Sequence, residues 1–411
     1  MPSPSHAAIT TVVRAHWRRI LAALVKQFGD FALAEDALQD AVVAAMTAWD
    51  PKIPDAPDAW LITTARRRAL DRVRADQTLA RKSPEIAYFI AHQQSDPEEA
   101  PVTIPDKRLE MLLTCCHPSL DAKTQIALTL RTLGGLTAEE IAHAYLDKPA
   151  TMAQRLSRAR VKIKAAGIPY RVPDPADLPA RADAVMQVIY LIFNEGYLAS
   201  SGDTLLRRDL STGAICLGHI LYDLMPDMAE PAGLLALMLA NDALAPARQS
   251  TGGAMIPLET QDRSLWRHAQ ISLADQILQT TLTRGQIGPY RLQAAISALH
   301  GQAATWDATD WPQIAMLDSL LCRVQPTPVV QLNHAVAVSY ADSAKAGLQL
   351  LDALAEPLAD YSNFHAAKAD FLARDGQRKA AGDCFLIAIN LTGNAANRAF
   401  LQAKKQRLML H

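Results

Sequence analysis

The sequence lacks several features that mark large classes of protein. No apolar run approaches the roughly 18 residues that a membrane-spanning helix needs, and the N-terminal residues lack the basic-then-apolar order of a secretory signal. The five cysteines, at positions 115, 116, 216, 322 and 384, are odd in number and scattered, which argues against a disulfide framework. We therefore expect a cytoplasmic protein without membrane contact.

Signatures of catalysis are also missing. The sequence has no glycine-rich phosphate loop, no nucleophile elbow and no carboxylate pair with a supporting histidine. The segment TCCHPSLD suggests a metal or thiol site, but adjacent helical side chains point about 100° apart, so Cys115 and Cys116 cannot both reach one zinc comfortably. We expect buried thiols, with His117 at a helix end, and predict no catalytic residue, no metal and no cofactor.

Strand signals are scarce as well, since no two strand-like runs are joined by an Asn-Gly or Asp-Gly turn. Alanine and leucine are abundant, and apolar residues recur at spacings of three and four, which predicts an all-α fold. Two small helical blocks, 8–75 and 107–168, are separated by a polar, proline-bearing linker, 76–106. After a proline-rich boundary, residues 180–411 are predicted to form a large helical domain.

That C-terminal domain contains a weak internal repeat. Two triplets with spacings of four and three lie 35 residues apart: Ala346, Leu350, Ala353 and Ala381, Phe385, Ala388. Small side chains at such spacings let tetratricopeptide helices approach closely, and Gly376 falls where that repeat turns. A third, degenerate copy is expected around DWPQIAMLDSLL. The alternatives are a solenoid that offers a concave face to a partner and a chance match in an alanine-rich chain.

Net charge is only −1, but it is unevenly distributed. Residues 1–171 carry 23 Lys and Arg against 19 Asp and Glu, whereas the remainder carries 18 against 23. The positive charge is concentrated in two short segments, and clustering of this kind is what a polyanion senses.

The first basic cluster is ATMAQRLSRARVKIK, residues 150–164, which has five basic residues and no acid. A helix is predicted before it, with Thr137 and Glu140 forming a capping box. The segment DKPA has the length of an interhelical turn, and Pro149 suits the first turn of the next helix. Four apolar residues form a stripe that can pack on the first helix: Met152, Leu156, Ala159 and Ile163. These features predict a helix-turn-helix.

The second helix of such a motif enters the DNA major groove. Short polar side chains near its start can address bases, while arginine and lysine further along meet phosphates. The predicted contacts are Thr151, Gln154, Arg155, Ser157, Arg158 and Lys162. The alternative is an ordinary helical hairpin with a solvated basic face, although the lack of acids for i,i+4 pairing argues against it.

The second basic cluster is AWLITTARRRALDRVRA, residues 59–75, with five arginines against Asp71. A tryptophan beside arginines can stack an unpaired base while guanidinium groups hold the backbone; alternatively Trp60 is a core anchor. The residues assigned to this surface are Trp60, Thr64, Arg66, Arg67, Arg68 and Arg72. Upstream, Asp30 can cap a helix. Its packing side is formed by Ala34, Leu38, Ala41, Ala45 and Trp49, whereas its exposed side suits a basic protein partner. That side is formed by Glu35, Asp36, Gln39 and Asp40.

Together these segments resemble the extracytoplasmic-function subfamily of the sigma-70 factors. FGDFALAEDALQDAVVAAMTAW and AWLITTARRRALDRVRA resemble its region two, and LTLRTLGGLTAEEIAHAYLDKPATMAQRLSRARVKI resembles its region four. The segments IPDKRLEMLLTCCHPSL, YLIFNEGYLASSGD and GPYRLQAAISALH are similar to the group with a long, tetratricopeptide-like C-terminal extension. The expected fold is thus a region two bundle, a region four helix-turn-helix and a C-terminal helical solenoid.

The resemblance implies a sigma factor that initiates transcription with bacterial RNA polymerase core on promoter DNA. It implies that the acidic side docks on the beta-prime clamp helices, that region four meets the beta flap, and that residues 58–74 melt and hold the minus-ten element. The helix with Thr151, Gln154, Arg155 and Arg158 would read the minus-thirty-five element. Arg67 departs from the family pattern, since relatives often have asparagine there.

Several alternatives remain open at this point. Asn194, Glu195 and Tyr197 form either a hinge or ligand region or a helix end with internally bonded caps. The extension is expected to regulate activity through a protein partner or an intramolecular contact, either by closing the basic surfaces or by supporting polymerase engagement. One rival is a helix-turn-helix regulator with a helical sensor domain that acts without polymerase. Another is a helical enzyme using Cys115 or the Asn194 region.

Overall fold

Helices form nearly all of the regular structure in the computed structural model, which describes residues 6–49, 52–79, 107–134, 136–144, 147–168, 170–174, 177–199, 201–202, 205–250 and 252–410. The chain divides into two compact units, Met1–Val188 and Ile189–His411. No helix in these ranges is long and apolar enough to cross a membrane. The predicted all-α fold is confirmed. Most of the predicted linker, residues 80–106, lies outside the described ranges.

The first unit opens with three packed helices, α1 (His6–Phe28), α2 (Phe31–Ala48) and α3 (Pro57–Leu79). Gly29 adopts a left-handed φ of 65°, and Asp30 then caps α2 by accepting hydrogen bonds from the next backbone amides. The stripe predicted to pack is buried throughout: Ala34, Leu38, Ala41, Ala45 and Trp49. The predicted helix cap and the packed face of α2 are therefore confirmed.

Four further helices follow in the same unit. They are α4 (Arg108–Cys115), α5 (Ala122–Thr129), which continues as a π-helical turn (Leu130–Gly134), α6 (Ala138–Ala144) and α7 (Pro149–Ala165). Pro149 occupies the first turn of α7, and α6 and α7 pack against each other as the predicted helix-turn-helix. The apolar stripe of α7 is buried as expected: Met152, Leu156, Ala159 and Ile163.

The cysteine pair is structural. Cys115 ends α4 and Cys116 caps it, and both side chains are buried, with the Sγ atom of Cys116 3.6 Å from the Oγ1 atom of Thr129. Burial raises the pKa of both thiols, that of Cys116 to about 12, although hydrogen bonds to threonine hydroxyl groups offset part of the increase. Both thiols therefore stay protonated and act as small core side chains, with His117 just past the helix end.

The helix α8 (Leu178–Tyr197) contains the division between the two units, and the second unit continues with ten helices in the described ranges. They are α9 (Arg208–Leu224), α10 (Glu230–Ala243), α11 (His268–Gln279), α12 (Pro289–Gln302), α13 (Trp311–Val324), α14 (Pro328–Ala341), α15 (Ala344–Leu351), α16 (Ser362–Arg374), α17 (Arg378–Leu391) and α18 (Ala395–Leu410). Two short strands, Ser201–Gly202 and Gly393–Asn394, pair in parallel.

Helices α12 to α17 pack as consecutive hairpins, but the predicted register of the repeat is wrong by one residue in its first copy. Ala353 is exposed and Leu350 is 39% exposed, whereas the buried triplet is Gly347, Leu351 and Leu354. That triplet lies 34 residues before the buried Ala381, Phe385 and Ala388, which is the tetratricopeptide period. Gly347 is required because a Cβ atom there would lie 2.6 Å from the Cβ atom of Ser339.

A third triplet with the same spacing lies in α13, within the predicted degenerate copy. Ile314, Asp318 and Leu321 are all buried and precede Gly347, Leu351 and Leu354 by 33 residues. Asp318 therefore occupies the central position that Leu351 and Phe385 hold in the other two copies. A carboxylate stands where the repeat otherwise buries a large apolar side chain.

Candidate nucleic-acid and polymerase interface

One face of α7 is open to solvent and carries most of the predicted base- and phosphate-reading residues. Thr151, Gln154, Ser157, Arg158 and Lys162 are all exposed. Arg155 is half-buried, since its guanidinium group pairs with Asp147 at 2.9 Å in the turn between α6 and α7. Several of these side chains line a groove of about 310 Å³ together with Asp121 and Thr124 at the start of α5. The helix thus presents short polar groups and cations on a single accessible face.

The other flank of α7 is not a free cationic surface. Arg160 donates a hydrogen bond to Glu35 at 2.5 Å, and Lys164 donates to Asp30 at 2.8 Å. The helix itself contains no acid for i,i+4 pairing, as its sequence shows, but α2 and its cap supply acids that compensate this flank. Burial alone would raise the pKa of Asp30, but the hydrogen bond from Lys164 and those from the α2 amides hold it below its usual value.

The prediction that Glu35 belongs to the exposed acidic side of α2 is wrong. The residue is buried rather than exposed, and its two carboxylate oxygens accept hydrogen bonds from Arg131 in the π-helical turn and from Arg160 in α7. Asp36 and Gln39 are exposed as predicted, and Asp40 is half-buried. The reason for the difference is tertiary: Glu35 lies beside the packed stripe of α2, where cations distant in sequence reach it.

Asp36 and Asp40 are joined to the predicted minus-ten surface through one arginine. The Nη1 and Nη2 atoms of Arg72 lie 2.9 Å and 2.7 Å from the carboxylates of Asp36 and Asp40. All three side chains are substantially exposed, so these ion pairs are screened and individually weak. The predicted polymerase-binding acids and a predicted DNA-binding cation thus neutralise each other within one helix pair.

The remaining residues of the α3 surface are more accessible. Arg67 and Arg68 are exposed, and exposed Arg66 donates from Nε to Gln27 at 3.0 Å. Trp60 is half-buried and packs edge-on against buried Trp49, with ring centroids 5.5 Å apart, while Thr64 is also half-buried. Trp60 therefore combines a core contact with partial exposure, and both alternatives proposed for it remain compatible with its position.

Further contacts connect α1 and α2 with the segments around α7. Arg18 donates to the carbonyl oxygen of Gly134 at 3.1 Å, and Lys26 donates to the carbonyl oxygen of Tyr170. The rings of Phe31 and Tyr170 meet edge-on at 5.3 Å. We call this whole set, with the ion pairs of Asp30 and Glu35, the α2–α7 clasp. Sequence reasoning missed it, although Arg160 and Lys164 lie on the flank of α7 opposite the predicted DNA face.

The segment around Asn194 and Glu195 is a helix end fixed by internal contacts. Glu195 lies 3.5 Å from Arg207, and the guanidinium group of Arg248 lies 3.5 Å from the centroid of the Tyr197 ring. A Cβ atom on Gly196 would lie 2.4 Å from the backbone nitrogen of Ser211, so glycine is required there. These contacts favour the helix-end interpretation over a hinge or ligand region.

The fold and this geometry define a helical protein with two separate basic helices, α3 and α7. The sigma-70 region 2 family matches residues 12–78, and a family of unknown function, DUF6596, matches residues 181–282. An uncharacterized protein of Rhizobium meliloti (strain 1021) is 38% identical over 399 residues, which cover 94% of this chain and 93% of that protein. No solved structure matches the chain.

Two named relatives match shorter segments. A probable ECF RNA polymerase sigma factor, SigI of Mycobacterium tuberculosis, is 28% identical over 163 residues, which cover 38% of this chain and 55% of that protein. The ECF RNA polymerase sigma factor SigK of Mycolicibacterium vanbaalenii is 26% identical over 141 residues, covering 34% and 70%. The chain belongs to the extracytoplasmic-function subfamily of the sigma-70 family, in a form with a C-terminal extension. The predicted family is thereby confirmed, and a regulator that acts without polymerase is not favoured.

Proposed function

We propose that the described helices divide the work of a sigma factor among three surfaces. As a family member, the protein is a transcription initiation factor that binds RNA polymerase core and promoter DNA, and it is not an enzyme. The exposed face of α7 reads the minus-thirty-five element, and the arginines of α3 hold the minus-ten element. The acidic residues of α2 dock on the beta-prime clamp helices, and region four contacts the beta flap. The observation that carries this assignment is the accessible polar and cationic face of α7.

The arrangement described for the first unit is a closed one. The two promoter elements are centred about 25 base pairs apart, which is roughly 85 Å of duplex at about 3.4 Å per base pair. Because Glu35 contacts Arg131 and Arg160 directly, the two sigma regions adjoin each other and cannot span that distance. Residues 80–106 supply 27 residues between them, and an extended chain of that length reaches about 90 Å. The chain is therefore long enough to open.

Opening also exposes the polymerase-binding surface. In the closed arrangement Glu35 is engaged by two arginines, whereas the DNA-reading face of α7 is already accessible. We infer that polymerase core competes with Arg131 and Arg160 for Glu35, so that docking and separation of the two regions are a single coupled event. The free protein is expected to bind duplex DNA weakly and to bind it tightly in the holoenzyme.

Run-off transcription with purified polymerase core tests this function. The full chain should direct initiation from a promoter that it selects, and Arg158→Ala should lower the yield because a phosphate contact is lost. Lys379→Ala, a change of an exposed cation in the second unit, is the matched control and should have no such effect. A chain that fails to associate with polymerase core would contradict the proposal, whatever its affinity for DNA.

The extension, residues 180–411 by the sequence boundary, is proposed to regulate this activity through a partner bound to its repeat helices. The motivation is its three buried triplets at spacings of 33 and 34 residues, which build a stack of helical hairpins. Truncation after Val188 keeps the contact of Arg181 with the carbonyl oxygen of Leu113. Unchanged promoter output in the truncated protein would remove the regulatory role. Because polymerase acts on the chromosome, we propose a cytoplasmic location.

A further inference from the structure

The second unit contains a cavity to which the sigma function assigns no role. It lies among α12, α13 and α14, has a volume of about 370 Å³ and is lined by both aromatic and polar side chains. Small-molecule sites in proteins usually occupy about 300–1,000 Å³ and combine apolar walls with a few placed polar groups. Its size and lining therefore suit a small organic molecule.

Asp318 is the polar group that distinguishes this cavity. It lines the cavity and is only 5% exposed, and in the described part of the chain its carboxylate has neither a hydrogen bond nor an ion pair. Burial raises its pKa to about 7, without an opposing contribution from any cation. Burying an unpaired carboxyl group is costly, and the repeat holds Leu351 and Phe385 at the equivalent positions. Asp318 therefore lowers the stability of the repeat, and no hydrogen bond or ion pair in the described residues offsets that cost.

Aromatic side chains line the same cavity as Asp318. The rings of Trp306 and Trp311 lie 4.8 Å apart, and Tyr340 stacks on Trp311 at 4.5 Å. His300 meets Trp311 edge-on at 5.3 Å, and burial lowers its pKa to about 4, so that it is neutral near pH 7. Of the described side chains that line the cavity, only that of Asp318 can carry a charge near neutral pH.

We propose that this cavity binds a small organic ammonium ion, whose charge pairs with Asp318 and whose alkyl groups lie against Trp306 and Trp311. A cavity that is lined by a carboxylate and by indole rings is complementary to such a cation, since the carboxylate supplies an ion pair and the ring faces attract positive charge. The buried Nδ1 atom of His300, which has no hydrogen-bond partner among the described residues, is available to a polar substituent of the ligand. Binding of the cation supplies the partner that Asp318 lacks.

Calorimetric titration of the full-length protein tests the proposal with two matched ligand pairs. Choline is compared with 3,3-dimethylbutan-1-ol, its neutral counterpart of the same shape, and butylammonium is compared with 1-butanol. We expect at least one ammonium ion to bind at least about tenfold more tightly than its neutral counterpart, and to quench tryptophan fluorescence at the same concentrations. This comparison needs no variant, so it stands even if a substitution impairs folding.

Two variants then locate the site. Asp318→Asn, which keeps the shape of the side chain, should weaken ammonium binding at least about tenfold, or about 1.4 kcal/mol. Asp307→Asn, the same change at an exposed position, should leave it unchanged. The inference is overturned if neither ammonium ion binds saturably up to about 50 mM, if the alcohols bind equally well, or if Asp318→Asn binds like the wild type. None of these outcomes bears on polymerase binding.

Discussion

Weakening the α2–α7 clasp should separate the two sigma regions and strengthen polymerase binding. The most informative change is Arg160→Gln, which removes one of the two cations that hold Glu35 and leaves the exposed DNA face of α7 intact. The side chains of this ion pair are mostly shielded, with 8% of Glu35 and 21% of Arg160 exposed. The closed arrangement should therefore lose a substantial part of its stability.

The magnitude follows from the burial of the pair. Removing one partner of a buried ion pair costs about 3–5 kcal/mol. In the variant, Arg131 still neutralises Glu35, and in the wild type about a fifth of the Arg160 side chain is exposed to solvent. We therefore expect the closed arrangement to lose about 2 kcal/mol of stability. That energy changes the ratio of closed to open molecules about 30-fold. If the closed form predominates in the free protein, apparent affinity for polymerase core rises by up to the same factor.

Pulsed distance measurements between labels at Val43 on α2 and Val161 on α7 report the separation, since these side chains are 70% and 65% exposed. Arg160→Gln should shift the distribution to longer distances, and the matched control Arg158→Gln should not. Glu35→Gln should also open the clasp, but without the gain in core affinity, because the proposed docking carboxylate is lost. Unchanged distances in Arg160→Gln would refute the reasoning.

Three further predictions concern separate parts of the chain. Arg158→Ala should reduce the slope of log binding constant against log salt concentration by about one unit on every DNA sequence. Gln154→Ala should instead alter the preference at one base by about 1–3 kcal/mol. If both variants behave alike in binding assays, the assignment of one residue to phosphate and the other to a base is contradicted. Asp318 binds its proton more tightly when folded, so its contribution to stability is greatest below about pH 4 and is lost as pH rises to about 7. Asp318→Asn should therefore remove up to about 4 kcal/mol from the change in unfolding free energy over this pH range, as measured by denaturant unfolding. An unchanged dependence of the unfolding free energy on pH would contradict this prediction. Gly196→Ala should lower the unfolding free energy by about 3 kcal/mol or more because the new methyl group meets backbone, whereas Gly252→Ala, whose new methyl group would lie an ordinary 3.8 Å from the Oγ atom of Ser250, should be near neutral in the same assay.

Local features of the chain were predictable from sequence, because their causes lie within a few residues. The cap at Asp30, the start of α7 at Pro149 and the buried stripe of that helix depend on spacing and turn chemistry alone. The burial of Glu35 was not predictable in this way, since its partners lie 96 and 125 residues away in sequence. The residue contacts for polymerase and DNA remain predictions.

The register of the repeat shows a different limit. Leu350 and Leu351 are adjacent and equally apolar, so spacing alone cannot decide which of them faces the core. In the structure, Gly347 faces the core because α15 needs it for its close approach to Ser339, and Ala353 is exposed. These two positions set the register and place Leu351 in the core. Asp318 was overlooked for the same reason, because the central position of the third triplet is defined only once the register of the others is known.

If Glu35 binds either Arg160 or a polymerase subunit, as proposed, the two associations are mutually exclusive. Added salt weakens both the ion pair of Glu35 with Arg160 and its proposed contact with polymerase. The two effects of salt on polymerase binding therefore oppose each other and largely cancel. The proposed phosphate contact of Arg158 has no such acidic competitor among the described residues, although Arg155 on the same face pairs with Asp147. Ionic strength should therefore change the affinity of the assembled holoenzyme for DNA far more than the affinity of this subunit for polymerase core.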